Sequence, residues 1–172
     1  MVEKTHIRKE MLTIRLWHYK LIPYLPNKQL RGQWRELNSI FKKQDKHILI
    51  NYIYEYPKED LYIYTARIIS EMHSRGFKIK VKENALNYFG SDTLDVNWAK
   101  ELFKNHHDFG YLEICYYNLK EKYLRGQSDF DTETFEELDK FYSEEYTKDI
   151  LKNCIKVDLK KRRKNENIIC NK

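Results

Sequence analysis

Between Gln29 and Lys42 the chain sets one carboxylate, Glu36, among arginines and amides at helical spacing. Arg31, Arg35, Asn38 and Lys42 recur at steps of four, three and four, which at 3.6 residues per turn makes a basic row. Gln29, Gln33 and Glu36 form a second polar row, with the apolar stripe Leu30, Trp34, Leu37 and Phe41 between the two. Cations and amides beside a single carboxylate suit a phosphate backbone and a polar reaction centre. An ordinary amphipathic helix with a solvated charged face has the same periodicity, so spacing alone leaves both readings open.

Other chemistries find less support. His18, His47, His73, His106 and His107 have no metal-ligand spacing. The adjacent His106 and His107 point to different sides of a helix and read as surface or capping residues. Cys115, Cys154 and Cys170 are odd in number and lack a C-x-x-C pair, which fits reduced intracellular thiols better than a disulfide framework or a zinc site. There is no glycine-rich phosphate loop. Neither a metal nor a cofactor is expected.

At 172 residues the chain is one domain with room for a single core. Five glycines and three prolines leave few interruptions, which favours long helices over a many-turned sheet protein. The net charge of +6 is compatible with a polyanionic partner, and its distribution sharpens that reading. Residues 21–50 carry six basic side chains against Glu36 and Asp45, whereas residues 129–149 carry nine acids against Lys140 and Lys148. No run reaches the ~18–20 apolar residues of a membrane span, and residues 1–13 lack the apolar stretch of a signal peptide. A soluble, cytoplasmic monomer is expected.

The elements that must position Glu36 follow from the pattern. Pro23 and Pro26 keep the chain extended until Asn27 caps a helix over roughly 28–43. Residues 48–56 have strand propensity locally but are assigned to helix. A helix over about 58–75 buries Leu61, Tyr64, Ile68 and Met72 and stops at Gly76. After a looser stretch from 80 to 96, helical periodicity resumes near Asn97 and again from about 107 to 124. Asp131 or Thr132 caps a final helix reaching roughly 153, which docks through Phe135, Leu138, Phe141 and Tyr142. Trp17, Trp34 and Trp98 are assigned to the core. The expectation is an all-α, compact single-domain bundle of about three core helices plus an extra C-terminal helix. Its parts are an N-terminal extension over 1–13, a helical domain over 14–125, an acidic helix over 126–155 and a mobile basic tail over 156–172.

Three blocks together resemble the pyrimidine-dimer DNA glycosylase family, which includes the phage endonuclease V enzymes. The first is Gln29–Phe41 with its flanks Ile14-Arg-Leu-Trp-His18 and Leu21-Ile-Pro-Tyr-Leu-Pro26. The second is Ile68-Ile-Ser-Glu-Met-His-Ser-Arg-Gly-Phe-Lys-Ile79, and the third Asn118-Leu-Lys-Glu-Lys122. The likeness covers roughly residues 14 to 124 and is nearest to short bacterial members that begin Met-Arg-Leu-Trp-His. It implies removal of a damaged pyrimidine from double-stranded DNA, followed by strand scission at the abasic site. In that chemistry an amine attacks C1′ of the deoxyribose to form an imine, and β-elimination breaks the backbone. An α-amine with a pKa near ~7.7–8.0 is about one-tenth neutral at pH 7, whereas a lysine at ~10.4 is below about one in a thousand. Family members accordingly use the chain's own N-terminus.

The resemblance places the catalytic glutamate at Glu36, to stabilise positive charge on the opening sugar and to shuttle the proton lost in elimination. It places a phosphate or flipped-base contact at Arg35, and Arg31, Gln33, Gln29 and Lys42 join it as candidate DNA contacts. Gln33 stands where the phage enzymes have an acid, Gln29 where they have a histidine, and Ser39 where they have a second arginine. The last two departures bear on the lesion recognised more than on DNA binding. Arg15 lies 21 residues before Glu36, the family's separation between nucleophilic N-terminus and glutamate. In the chain as numbered its nitrogen is a peptide amide. The favoured expectation is a shorter native start, by initiation at Ile14 or removal of residues 1–14; Lys20 as a substitute amine is an alternative, as is loss of the lyase step. The competing classes are a noncatalytic nucleic-acid-binding protein that keeps the helix and an interaction module built on the acidic helix.

Overall fold

A computed structural model of the chain describes residues 15–43, 50–81, 83–90 and 96–169, with side chains as far as 156. The described residues form five α-helices, α1 (Asn27–Lys43), α2 (Lys58–Ser74), α3 (Glu83–Phe89), α4 (Phe109–Leu124) and α5 (Thr132–Ile169). Two 3-10 helices accompany them, Tyr19–Tyr24 ahead of α1 and Asn51–Glu55 between α1 and α2, and there is no strand among the described residues. The all-α architecture expected from the few glycines and prolines is therefore the one observed. α1 packs against α2 and α3, α4 against α5, and the Tyr19–Tyr24 turn lies between the two groups, touching α2, α4 and α5.

Burial drives this arrangement. Leu61, Tyr64, Ile68 and Met72 of α2 are buried as expected, together with Leu30, Leu37, Ile40 and Phe41 of α1 and Leu112, Cys115 and Leu119 of α4. Burial pushes the Cys115 thiol up to about 12, so it is an inert core side chain. α5 docks through the four predicted residues. Leu138 and Tyr142 are buried and Phe135 and Phe141 half-buried, and the Tyr142 and Phe135 rings stack on Tyr116 and Tyr123 at 3.8 Å and 4.0 Å.

Helix ends follow local chemistry, with one exception. Gly76 stops α2 at φ +77°, where its N–H bonds the His73 carbonyl and the Phe77 N–H that of Met72. Asp131 accepts the Thr134 N–H and Asp108 the Tyr111 N–H, capping α5 and α4. The exception is α1. Asn27 is already its first residue, and the Asn27 side chain accepts from Arg75 instead of capping. The Lys28 N–H is satisfied by Asp129 Oδ2 at 2.6 Å, from 101 residues away.

Several expectations are corrected. Residues 51–55 form a single 3-10 turn, while 44–49 lie outside the described residues. No helix forms near Asn97; residues 96–108 are turns and bends. α5 runs to Ile169, past the expected end near 153, because neither glycine nor proline interrupts the segment from 132 onward. Trp17 is buried, Trp34 only half-buried, and Trp98 is exposed, its carbonyl accepting from Arg67. His107 is a buried residue ahead of α4. Its ring hydrogen-bonds the Tyr52 hydroxyl at 2.7 Å and the Tyr19 N–H at 3.3 Å, and burial pushes its pKa well down. His47 and the first 14 residues lie outside the described residues.

Candidate active site

Residues 15–18 enter the core outside any helix, with a bend at Arg15 and Leu16 and no strand to pair with among the described residues, so side chains must satisfy their backbone. The Arg15 carbonyl accepts Gln33 Nε2 at 2.6 Å, and the Trp17 N–H donates to Gln33 Oε1 at 3.0 Å. One side-chain amide thus copies the two-point pairing of a neighbouring strand. Tyr64 of α2, fully buried, donates its hydroxyl to Gln33 Oε1 at 2.5 Å and lies 3.0 Å from the Trp17 carbonyl. Tyr111 of α4 donates to the Leu16 carbonyl at 2.5 Å, and the His18 N–H points at Cys115 Sγ. Three helices therefore fix this segment with buried polar bonds.

The clamp delivers Arg15 to Glu36. Arg15 Nη1 lies 3.1 Å from Glu36 Oε1 and 3.0 Å from Oε2, with the glutamate side chain 15% exposed. Arg15 Nε is buried without a partner. The ion pair sits in a cleft of about 390 Å³ whose wall includes Gln29, Arg35, Lys28 and, from α4, Asn118 and Lys122. Apart from Glu36 the cleft has no acidic lining residue, so a lone carboxylate faces cations and amides. Gly32 forms part of the wall, and a Cβ there would meet only the Arg35 guanidinium at 3.9 Å. A helical glycine costs roughly 1 kcal/mol against alanine, and internal packing gives no reason for it here.

Of the seven residues singled out from sequence, the cleft gathers Arg15, Glu36, Arg35, Gln33 and Gln29. Gln33 was placed on a polar row but is 3% exposed, with both ends of its amide consumed internally. Gln29 exchanges reciprocal amide bonds with Gln127 at 3.1 Å and 2.7 Å. Arg31 is outside the cleft, its guanidinium 4.8 Å above the Phe77 ring. Lys42 lies in a separate concavity with Lys43 and Lys58. Lys20 lines a different cleft and pairs with Glu145 at 2.5 Å, away from Glu36. That second cleft, about 690 Å³, mixes four lysines with four carboxylates and shows no lone charge. Lys28, Asn118 and Lys122 were missed as cleft residues, although the last two bound the third sequence block; only their recurrence in that block could have flagged them.

Residues 14–84 match the family model described as pyrimidine dimer DNA glycosylase. Over that segment the chain carries this family's pattern. The match includes the first two sequence blocks, Arg15, the Gln33 clamp and Glu36, and ends before α4 and α5. No curated protein and no solved structure matches the chain. Among the described residues no group of histidine, cysteine and carboxylate side chains could hold a metal ion, and no helix is long and apolar enough to cross a membrane.

Proposed function

We propose that the protein is a DNA glycosylase with abasic-site lyase activity, acting on pyrimidine dimers or related damaged bases in double-stranded DNA. The observation that carries this reading is the docking of Arg15 beside Glu36 through the Gln33 clamp, inside the segment that matches the family. The target sugar carbon is inaccessible in a stacked duplex, so the damaged nucleotide must leave the stack and enter the cleft. Arg35 and Lys122, which line it, supply phosphate contacts. A chain end at position 14 or 15 presents its neutral amine to C1′. The new N–C1′ bond forms as the glycosidic bond breaks, and the base leaves with its bonding pair and takes a proton. Sugar-ring opening and loss of a proton from nitrogen give the imine. Removal of a proton from C2′ then expels the 3′ phosphate oxygen. Glu36 is the one carboxylate lining the cleft, placed to stabilise the cationic intermediates and to carry that proton.

The amine is the demanding element, because Arg15 is preceded by a peptide bond in the chain as numbered. The reading therefore requires initiation at Ile14 or removal of the residues before position 15. Lys20 is unsuited, since it is paired with Glu145 in the other cleft. Borohydride trapping on duplex DNA with one abasic site tests the proposal, using the full chain and forms beginning at residues 14 and 15. A covalent adduct mapping to the N-terminal peptide and lost in Glu36→Gln is the expected result. Salt-sensitive DNA binding without an adduct in any form makes the protein a noncatalytic nucleic-acid binder instead. The N-terminal mass of protein from its native host states which form the cell makes.

A further inference from the structure

A further concavity, about 430 Å³, opens where the end of α1 meets the start of α2 and the side of α3. Lys42, Lys43, Lys58, Asn84, Asn87 and Tyr88 line it, and no carboxylate does. Among the described residues none of the three lysines has an ion-pair partner, while Lys20, Lys28, Lys100, Lys120 and Lys148 all do. The nearby acids Glu59 and Asp60 are taken by Lys100, at 2.5 Å and 2.8 Å. Lys42 and Lys43 complement the negative end of the α1 dipole, so helix stability accounts for them. It does not account for Lys58, which opens α2 at the positive end, where a cation is disfavoured. Its ammonium is fixed there by the Tyr88 carbonyl at 3.2 Å and the Tyr88 ring at 4.9 Å.

This concavity is in register with the candidate active site. Lys42 and Lys43 follow Arg35 and Glu36 by seven residues, two helical turns less about 20°, so the two features share one face of α1. Seven residues rise about 10.5 Å along α1, and each phosphate of a strand advances about 3.4 Å along the duplex axis, so with α1 lying along that axis the two features stand about three phosphates apart. We infer that Lys42, Lys43 and Lys58 form a second backbone contact, gripping a phosphate about three nucleotides from the one held beside Glu36 on the same DNA strand. The amides of Asn84 and Asn87 add donors to the same oxygens. This rests on the reading of the Glu36 cleft as the DNA-repair site.

The test uses the full chain, a duplex with one abasic-site analogue, and the variant Lys42→Gln/Lys43→Gln/Lys58→Gln. In anisotropy titrations, the slope of log affinity against log salt should fall by about 0.9, the contribution of the one phosphate left without its lysines. A charge-matched variant in the other cleft, Lys104→Gln/Lys148→Gln/Lys152→Gln, should keep the wild-type slope. Neutral methylphosphonates placed singly along the strand should weaken wild-type binding about three nucleotides from the lesion, and that sensitivity alone should vanish in the first variant. An unchanged slope, an equal fall in the matched variant, or no sensitive phosphate at that distance overturns the inference. Borohydride trapping reports separately on the active site. A wild-type chain that shows the predicted slope and phosphate effects but forms no adduct defeats the enzyme reading and leaves the strand contact standing.

Discussion

Gln33 is the residue whose replacement most directly tests how the site is built. Gln33→Leu puts an apolar side chain of similar size in place of the amide that bonds the Arg15 carbonyl, the Trp17 N–H and the Tyr64 hydroxyl. Tyr64 retains the Trp17 carbonyl at 3.0 Å, so its hydroxyl is not orphaned. The Trp17 N–H is left buried without an acceptor, and the Arg15 carbonyl, nearer the surface, loses its donor. At about 1–3 kcal/mol for each unsatisfied group, with water relieving the second, the expected loss is about 2–4 kcal/mol. Urea unfolding at pH 7.5 should show a lower midpoint with the same slope. Gln33→Glu separates clamp from packing. Its carboxylate still accepts from Trp17 and Tyr64, but it cannot donate to the Arg15 carbonyl, and it adds a second negative charge one turn before Glu36. It should slow imine trapping, because the chain end is no longer held, and weaken duplex binding at low salt, because the cleft gains a carboxylate. A Gln33→Leu protein within about 0.5 kcal/mol of wild type would show that the clamp does not hold residues 15–18.

Two further outcomes follow from buried charge. Burial holds His18 neutral, lowering its pKa from 6.5 to about 4, and His107 is depressed in the same direction. Between those pH values the unfolded chain binds a proton that the folded chain excludes, so this stability is whole above pH 6.5 and falls towards pH 4, by about 3 kcal/mol for His18 alone. Urea midpoints at pH 7.5, 5.5 and 4.5 check it, and a flat series refutes it. Asp129→Asn removes the carboxylate that caps α1 and stands 3.6 Å from the Lys28 ammonium. It should cost under about 1 kcal/mol of stability, since asparagine still caps, and should tighten duplex binding at low salt; weaker binding contradicts this role for the charge.

The helices were legible because their signals are local. Leu61, Tyr64, Ile68 and Met72 recur at helical steps, and Gly76 terminates α2 for a reason carried by its own backbone. Glu36, Arg35 and Arg15 were singled out through the order of the sequence blocks, and the fold brings them to one cleft. What stayed hidden depends on distant partners. Nothing in the sequence around Lys28 states that Asp129 caps α1 from the far side of the chain. Gln33 reads as polar and therefore exposed, and its burial follows only once residues 15–18 need a hydrogen-bonding partner. His107 misled for the same reason, its neutral ring being satisfied by Tyr52, 55 residues away. Lys42 shares a face of α1 with Arg35 but lines a different concavity, which only the placement of Lys58 and α3 creates.

The Arg15–Glu36 pair bears on whether a carboxylate already occupied can take part in the proposed reaction. Its geometry argues that the pair is replaceable. A guanidinium binds a carboxylate best as a fork, with two nitrogens on two oxygens, whereas here Nη1 alone meets both and Nε stays buried without a partner. An orphaned donor of this kind costs about 1–3 kcal/mol, comparable to or larger than the roughly 1 kcal/mol or less gained by a partly exposed pair. In the proposed reaction, a DNA phosphate entering the cleft would offer the guanidinium a better acceptor and release Glu36 toward the sugar. On that reading the pair shields a lone carboxylate among cations until substrate arrives. On this argument Arg15→Lys, which keeps the charge but has no fork for the phosphate, should impair trapping more than it impairs folding. Equal trapping by Arg15→Lys and wild type would mean that the guanidinium never leaves Glu36 for the backbone.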